Sequence, residues 1–347
     1  MTKREIKAVL RIATGYIGAV VGAAFASGQE ILQFFVLFGP QGKAGIALAT
    51  FLFCFFGVAI LECGRRYQIA SYRDLLTPFL GQRLIVIVDV IMALALLAGL
   101  GIMLAAGGAL LKQQFDWPAT AGSALLAVVV ILVLLRGREG FLQANALLVP
   151  IKIISVILLF FLLLGKYPFF SSAGGTKGVP LVAGHWALSA FLYVSYNMVL
   201  TAAVLGTLYD RQVKVNVLGG MLGGVGLGLL AACIGSLLYH FYPQAASCQI
   251  PMVKLAGLAG PLVQKGYALV VMVAIFTAAL ANAYGFACRI AQKFCVSWRV
   301  AGIAAVVAVL PMLSFSFAKL VVTVYPFFGY IGLFYVILLP AAVLRRS

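Results

Sequence analysis

The chain is a succession of long apolar runs joined by short polar connections. A helix that crosses a bilayer needs about 20 apolar residues, and that ruler divides the sequence into ten segments: 8–38, 44–63, 84–111, 118–135, 141–165, 184–208, 214–241, 262–288, 299–315 and 319–343. The first is the longest, and it is interrupted where a membrane helix should be most regular, at Gly22-Ala23-Ala24-Phe25-Ala26-Ser27-Gly28-Gln29-Glu30. Small residues with glycine at both ends let the backbone leave helical geometry at low cost. Unwound backbone at membrane depth persists only where it faces protein or a water-filled cavity, and many carriers build their substrate site around such a break. The pattern predicts a small-solute transporter with its site at the bilayer midplane.

Composition agrees. Hydrophobic residues make up 64% of the 347, charged residues 10%, and the mean hydropathy is +1.12. That is too much apolar surface for a soluble protein, so the chain reads as an all-α, multi-pass membrane protein. The net charge of +17 does not indicate nucleic acid, because the basic residues lie in short clusters between apolar runs, as topology signals do. With the N-terminus placed in the cytoplasm, seventeen Lys and Arg fall inside and seven outside, and every arginine is inside. This bias predicts ten spans with both termini cytoplasmic. The basic residues and apolar run at the N-terminus are read as a retained helix rather than a cleaved leader. Cys54, Cys63, Cys233, Cys248, Cys288 and Cys295 are scattered, and no Cys/His cluster suggests a metal site. No cofactor is expected. His185 and His240 sit at expected outer helix ends, where interfacial packing accounts for them.

Five segments before residue 165 and five after 184 predict a single membrane domain, 1–347, made of two halves, 1–165 and 184–347. An odd number of spans per half inserts the second upside down. Segment six should then also be broken. Its centre carries Tyr193, Ser195 and Asn197 but no glycine, and such groups either satisfy freed backbone or bond across helices. The outer connection 166–183 is loop-like. In the outer loop 243–261, Pro251 to Ala256 is expected to form a short helix that acts as a lid. The glycines of segment seven, from Gly219 to Gly228, are read as close helix packing without chemistry.

Ionisable groups inside hydrocarbon are costly and point to function. Lys152 lies about 16 Å into segment five at 1.5 Å per residue, too deep to snorkel, with Pro150 loosening the helix just before it. It is expected to serve as a positive charge in place of a bound cation. Glu30, roughly 13 Å from the outer end at Gly39-Pro40, is a candidate for coupling. The bland alternative is a carboxylate beside a helix N-terminus. Gln29 and Asp89 are the gating candidates, with Asp89 either pairing as an inner gate or facing the interface. Glu62 precedes Arg65 and Arg66 and reads as an interfacial ion pair. In segment eight, Thr277 and Asn282 lie where they would line a site, and Gly22 completes the ion-site group.

With these residues assembled, the chain resembles the LeuT fold of the amino acid–polyamine–organocation superfamily. The stretch Gly22-Ala-Ala-Phe-Ala-Ser-Gly-Gln-Glu30 resembles the signature of the YkvI-type bacterial membrane proteins. The resemblance implies a bacterial cytoplasmic-membrane location and a substrate site on Ala23, Ala24, Ala26, Ser27 and Gly28, faced by Tyr193, Ser195 and Asn197. Sodium-coupled members hold their cation between the first break and a hydroxyl pair on helix eight. The matching Leu280-Ala281-Asn282-Ala283 lacks that pair. Some sodium-independent members place a helix-five lysine in the cation's position, and Lys152 is similar to that residue. Metal-transporting relatives use an Asp-Pro-Gly-Asn break, absent here. The expectation is alternating-access transport of an amino acid or related zwitterion, coupled to protons or to no ion. The alternatives are a sodium symporter of the same fold, or a solute receptor similar to spore germination receptor membrane subunits. No catalytic constellation or phosphate loop suggests an enzyme.

Overall fold

The chain starts its first helix with a capping box. Thr2 Oγ1 accepts from the Glu5 amide at 3.3 Å, and the Glu5 carboxylate accepts from the Thr2 amide at 2.9 Å. The computed structural model describes the backbone of residues 1–67, 72–136, 141–167 and 182–344, and their side chains apart from 72–84, 141–148, 200, 203 and 334–344. All regular structure among the described residues is helical. Most of the connection 166–183 lies outside the described residues, as do Arg138, Arg345, Arg346 and the side chains of Arg73 and Arg83.

The first apolar segment becomes α1 (Lys3–Val20), α2 (Ala23–Ser27) and α3 (Gln29–Phe34), followed by a 3-10 turn at Val36–Phe38. Then come α4 (Pro40–Tyr67), α5 (Tyr72–Phe115), α6 (Ala119–Arg136) and α7 (Phe141–Lys166). The second half holds α8 (Trp186–Leu205), α9 (Val213–His240), the short α10 (Tyr242–Ala246) and α11 (Pro251–Ala259), α12 (Pro261–Phe294), α13 (Trp298–Val309) and α14 (Phe317–Leu344). By length and composition six helices are fit to cross a membrane among the described residues. The bent pair Trp298–Ser314 and Phe317–Leu333 raises this to seven at most. The short helix expected from Pro251 is present, with proline in its first turn, where a missing N–H costs nothing.

One expectation fails. α8 runs unbroken from Trp186 to Leu205, so segment six has no central break. Two of its polar residues bond back to their own helix instead: Asn197 Nδ2 donates to Tyr193 O at 2.9 Å, and Thr201 Oγ1 to Asn197 O at 2.7 Å. Without glycine or proline, side chains that bond back to their own turn leave no reason to unwind.

α1 sits between α8 and α9; the other long interfaces pair α4 with α9, α14 with α8, and α12 with α5. The glycines of α9 divide between two neighbours. A Cβ on Gly219 or Gly223 would meet Ile12 or Tyr16 of α1, while one on Gly220 or Gly224 would meet the backbone of Val58 or Cys54 of α4. Gly329 and Gly332 likewise bring α14 onto the backbone of Leu192 and Ser195 of α8. Small residues let helices approach closely where hydrocarbon gives no hydrophobic drive for association.

This packing makes a contrast available. On Gly224→Ala the new methyl would lie 2.5 Å from the Cys54 amide nitrogen, whereas nothing lies within 4 Å of a Cβ on Gly266 in α12. Gly224→Ala should lower stability by about 1–3 kcal/mol, and Gly266→Ala should be neutral or stabilising by up to ~1 kcal/mol. Thermal unfolding of both variants in one detergent measures the difference.

Candidate functional site

Helical bonding stops at Val21. The last amide of α1 reaches Ile17 O at 2.8 Å and Gly22 N turns to Val20 O at 2.7 Å; the next backbone bond to resume is Ala26 N to Gly22 O at 3.1 Å. Gly22 is extended, with φ −85° and ψ −173°. A second dislocation follows at Gly28, in the left-handed region at φ +81°. Between them, all five residues of α2 are buried. Three alanines and a serine allow this, because a short helix whose single large side chain, Phe25, is itself buried can be enclosed from all sides.

The freed backbone is answered by side chains from distant elements. Lys152, on α7 just past Pro150, is buried and donates from Nζ to Val21 O at 2.9 Å. Tyr267 of α12 donates its hydroxyl to Ala26 O at 2.7 Å. Ser27 Oγ donates to Ala24 O at 2.7 Å and accepts from the Gln29 amide at 3.2 Å. α11 lies over the second bend, where Met252, itself buried, would collide with any Cβ on Gly28. Two links hold α11 there. The Gln113 side-chain amide exchanges bonds with the Ile250 backbone at 3.2 and 3.3 Å, and Lys166 Nζ donates to Leu258 O at 2.8 Å.

Beyond Gly28, Glu30 is only 5% exposed. It lies within electrostatic reach of Tyr193 and Tyr196 of α8 and Tyr325 of α14. The Tyr193 and Tyr196 hydroxyls approach it without completing a hydrogen bond of good geometry, and Glu30 Oε2 and both hydroxyls have no hydrogen-bond partner among the described residues. Aromatic rings close the surroundings: Phe34 and Tyr193 at 5.3 Å between centroids, Tyr193 and Tyr196 at 5.6 Å, Tyr196 and Tyr325 stacked at 4.8 Å.

The remaining predicted residues are placed as follows. Ser195 is buried with an unpartnered Oγ, on the side of α8 that meets Gly332. Gln29 is buried, and its Oε1 likewise lacks a partner. Asn197 bonds its own helix. So does Thr277, whose Oγ1 donates to Val273 O and Ala274 O at 3.0 and 3.1 Å. Asn282 packs against Gly99 of α5. Asp89 is half-buried on α5, about 15 Å along the helix from Gly99. Glu62 makes the expected pair, accepting from Arg65 Nε and Arg66 Nε at 2.9 Å each, with Arg65 Nη2 also in contact. His185 caps α8, its Nδ1 accepting from the Ala187 amide at 3.2 Å. Sequence reasoning missed Tyr196, Tyr267, Tyr325 and Met252. Tyr196 adjoins the polar cluster and Met252 lies in the expected lid helix, so both were within reach; Tyr267 and Tyr325 carry no local signal.

No protein-family model matches the chain. Two Bacillus subtilis proteins are similar to it over nearly their full lengths. The membrane protein YkvI is 29% identical over 342 residues, covering 97% of each chain, and YyaD is 24% identical over 326 residues, covering 93% of each. Among solved structures, MhsT in complex with L-phenylalanine matches with a TM-score of 0.64 at 15% identity, covering 95% of this chain and 88% of that one. Inward-facing Mhp1 matches at 0.62 and 15%, covering 92% and 72%. The Eremococcus coleocola manganese transporter with an aromatic bis-isothiourea compound matches at 0.62 and 14%, covering 97% and 78%. The fold is therefore that of the LeuT-type transporters, and the apolar helices mark a multi-pass membrane protein.

The two glycines of the interruption should differ in tolerance. A Cβ on Gly22 meets nothing nearer than Val20 O at 3.9 Å, whereas Gly28 combines positive φ with Met252 Cγ at 2.7 Å. Gly22→Ala should leave stability nearly unchanged, and Gly28→Ala should cost about 1–2 kcal/mol from backbone handedness alone. Thermal unfolding in detergent reads both.

Proposed function

We propose that the protein is a secondary active transporter that moves a small organic solute, an amino acid or related zwitterion, by alternating access. The observation that carries this reading is the buried interruption between α1 and α2, with the Lys152 ammonium on the carbonyl it frees. Backbone that leaves its helix inside a membrane is sustained only by protein or a water-filled cavity, and this one is sustained by a charged group from another helix. The solute would bind against Ala23, Ala24, Ala26, Ser27 and Gly28, with Tyr193 and Ser195 approaching from α8, and α11 would act as the outer lid. The reading includes ten crossings in two inverted halves with both termini cytoplasmic, and a bacterial cytoplasmic-membrane location.

Lys152 takes the part of a coupling cation in this scheme. Its Nζ supplies a positive charge at the break without sodium, while on α12 Thr277 Oγ1 donates to its own helix and Asn282 packs against α5. Protons are then the coupling ion, exchanged at Lys152 or Glu30. The likeness to a manganese transporter is one of fold. MhsT, whose structure holds L-phenylalanine, is the neighbour whose solute fits this reading.

The test is uptake into proteoliposomes with and without a pH gradient, after a thermal-shift screen of amino acids has identified a solute. Lys152→Ala is expected to reduce uptake at least tenfold and to flatten its dependence on the gradient, while sodium has no effect on the parent protein. A Lys152→Ala variant with unchanged uptake and gradient dependence would sink the coupling role. Solute binding by the parent without flux would favour a receptor instead.

A further inference from the structure

Six buried side-chain N or O atoms among the described residues lack a hydrogen-bond partner, and five of them belong to α3 and α8: Gln29 Oε1, Glu30 Oε2, Tyr193 OH, Ser195 Oγ and Tyr196 OH. Buried polar groups are normally paired, and leaving one unpaired costs free energy, so such a concentration requires a physical reason. Each of the five oxygens can accept a hydrogen bond, and the carboxylate and amide oxygens can only accept. For Glu30 and Gln29 the missing partner is therefore a donor, while the three hydroxyls can turn to either kind of partner. An anion would meet the negative charge of Glu30, with only neutral hydroxyls to hold it.

The walls narrow the choice further. Glu30 stands among the rings of Tyr193, Tyr196 and Tyr325, with Phe34 one turn along its own helix packed against Tyr193 and Tyr196 at 5.3 and 5.7 Å. An alkali cation would use the oxygens alone and gain little from the rings. Aromatic faces and a carboxylate instead suit an organic ammonium, whose charge is diffuse and whose carbon skeleton is apolar. Lys152 is engaged elsewhere. It is committed to Val21 O at the opposite end of α2, on the order of 10 Å away along the chain path.

We propose that Glu30, enclosed by Tyr193, Tyr196 and Tyr325, is the binding site for the ammonium group of the solute. This rests on the transport reading for its context and names the chemical class the site selects: primary amines and the amino end of small zwitterions, but not carboxylates that lack an amine. The separation of Glu30 from Lys152 adds a consequence. The two charges of an α-amino acid are about 3 Å apart, fewer than the residues of α2 can span even at 1.5 Å rise each. An α-amino acid with its ammonium on Glu30 would therefore leave its carboxylate short of Lys152, to be met by hydroxyls or backbone N–H groups.

The test uses the purified full-length protein in detergent and reads the thermal midpoint against concentration for ethanolamine, L-alanine, propionate and sodium chloride, each at one pH and matched ionic strength. Binding to the folded state raises the midpoint by mass action. Ethanolamine and L-alanine should raise it and propionate should not. Glu30→Gln should weaken the apparent affinity for both amines by about 10- to 100-fold, as expected for loss of a charged hydrogen bond. Tyr196→Phe, which keeps the ring, should weaken it less and guards against a folding defect in the first variant. No response to either amine, a response that survives Glu30→Gln, or a Glu30-dependent response to sodium chloride alone would overturn the proposal. Flux separates the two readings. Amine binding that needs Glu30 but gives no uptake in proteoliposomes leaves this site standing and removes transport, whereas uptake of a solute at the parent rate by Glu30→Gln does the reverse.

Discussion

The structure depends on one constraint: a helix that stops inside an apolar core must have its freed carbonyls answered by the protein itself. Water is not there to do it, and an unpaired buried carbonyl costs on the order of 1–3 kcal/mol. Val21 O and Ala26 O, one at each side of α2, are answered by Lys152 from α7 and Tyr267 from α12. These two bonds fix where α7 and α12 stand relative to the first segment. A buried ammonium is itself tolerable only because it has a carbonyl to charge, so the break and the lysine account for each other.

Close packing is what brings those distant groups to the break. α1 can lie against α9 because Gly219 and Gly223 leave room for Ile12 and Tyr16, and α4 can lie beside it on the neighbouring face of α9 because Gly220 and Gly224 present bare backbone to it. Tyr16 uses its position to donate to Phe53 O of α4 at 2.8 Å, tying three helices at one point. The same device, through Gly329 and Gly332, draws α14 onto α8 and carries Tyr325 alongside Tyr196. Glycine here does two jobs: at Gly28 it supplies a backbone angle, and in α9 and α14 it supplies absence of bulk.

The two buried charges therefore have different surroundings. Lys152 is satisfied by backbone, whereas Glu30 is surrounded by hydroxyls and rings that leave its Oε2 unpaired. One charge stabilises the interruption and the other remains open to a partner, with α11 and Met252 closing over the bend between them. The two lie toward opposite ends of a five-residue helix.

What the sequence determined by itself is whatever depends on near neighbours. Long apolar runs located the helices to within a few residues for most segments, because burial in hydrocarbon leaves the backbone no other way to pair. Gly22 to Gly28 located the first interruption, since small residues without Cβ bulk are a local property. Pro251 marked the start of α11, and Glu62 with Arg65 and Arg66 is a pair fixed by helical spacing alone. The tertiary structure decided what depends on partners far along the chain. Tyr193, Ser195 and Asn197 looked like a second break, but whether a polar side chain opens its helix or bonds back to it is set by what stands opposite, and here Asn197 and Thr201 bond back. That Lys152 would reach Val21, that Tyr267 would cap Ala26, and that Tyr325 would complete the surroundings of Glu30 each join residues more than 100 positions apart. No local pattern encodes such meetings; they follow from which glycine faces which helix, and that is settled only when the helices pack.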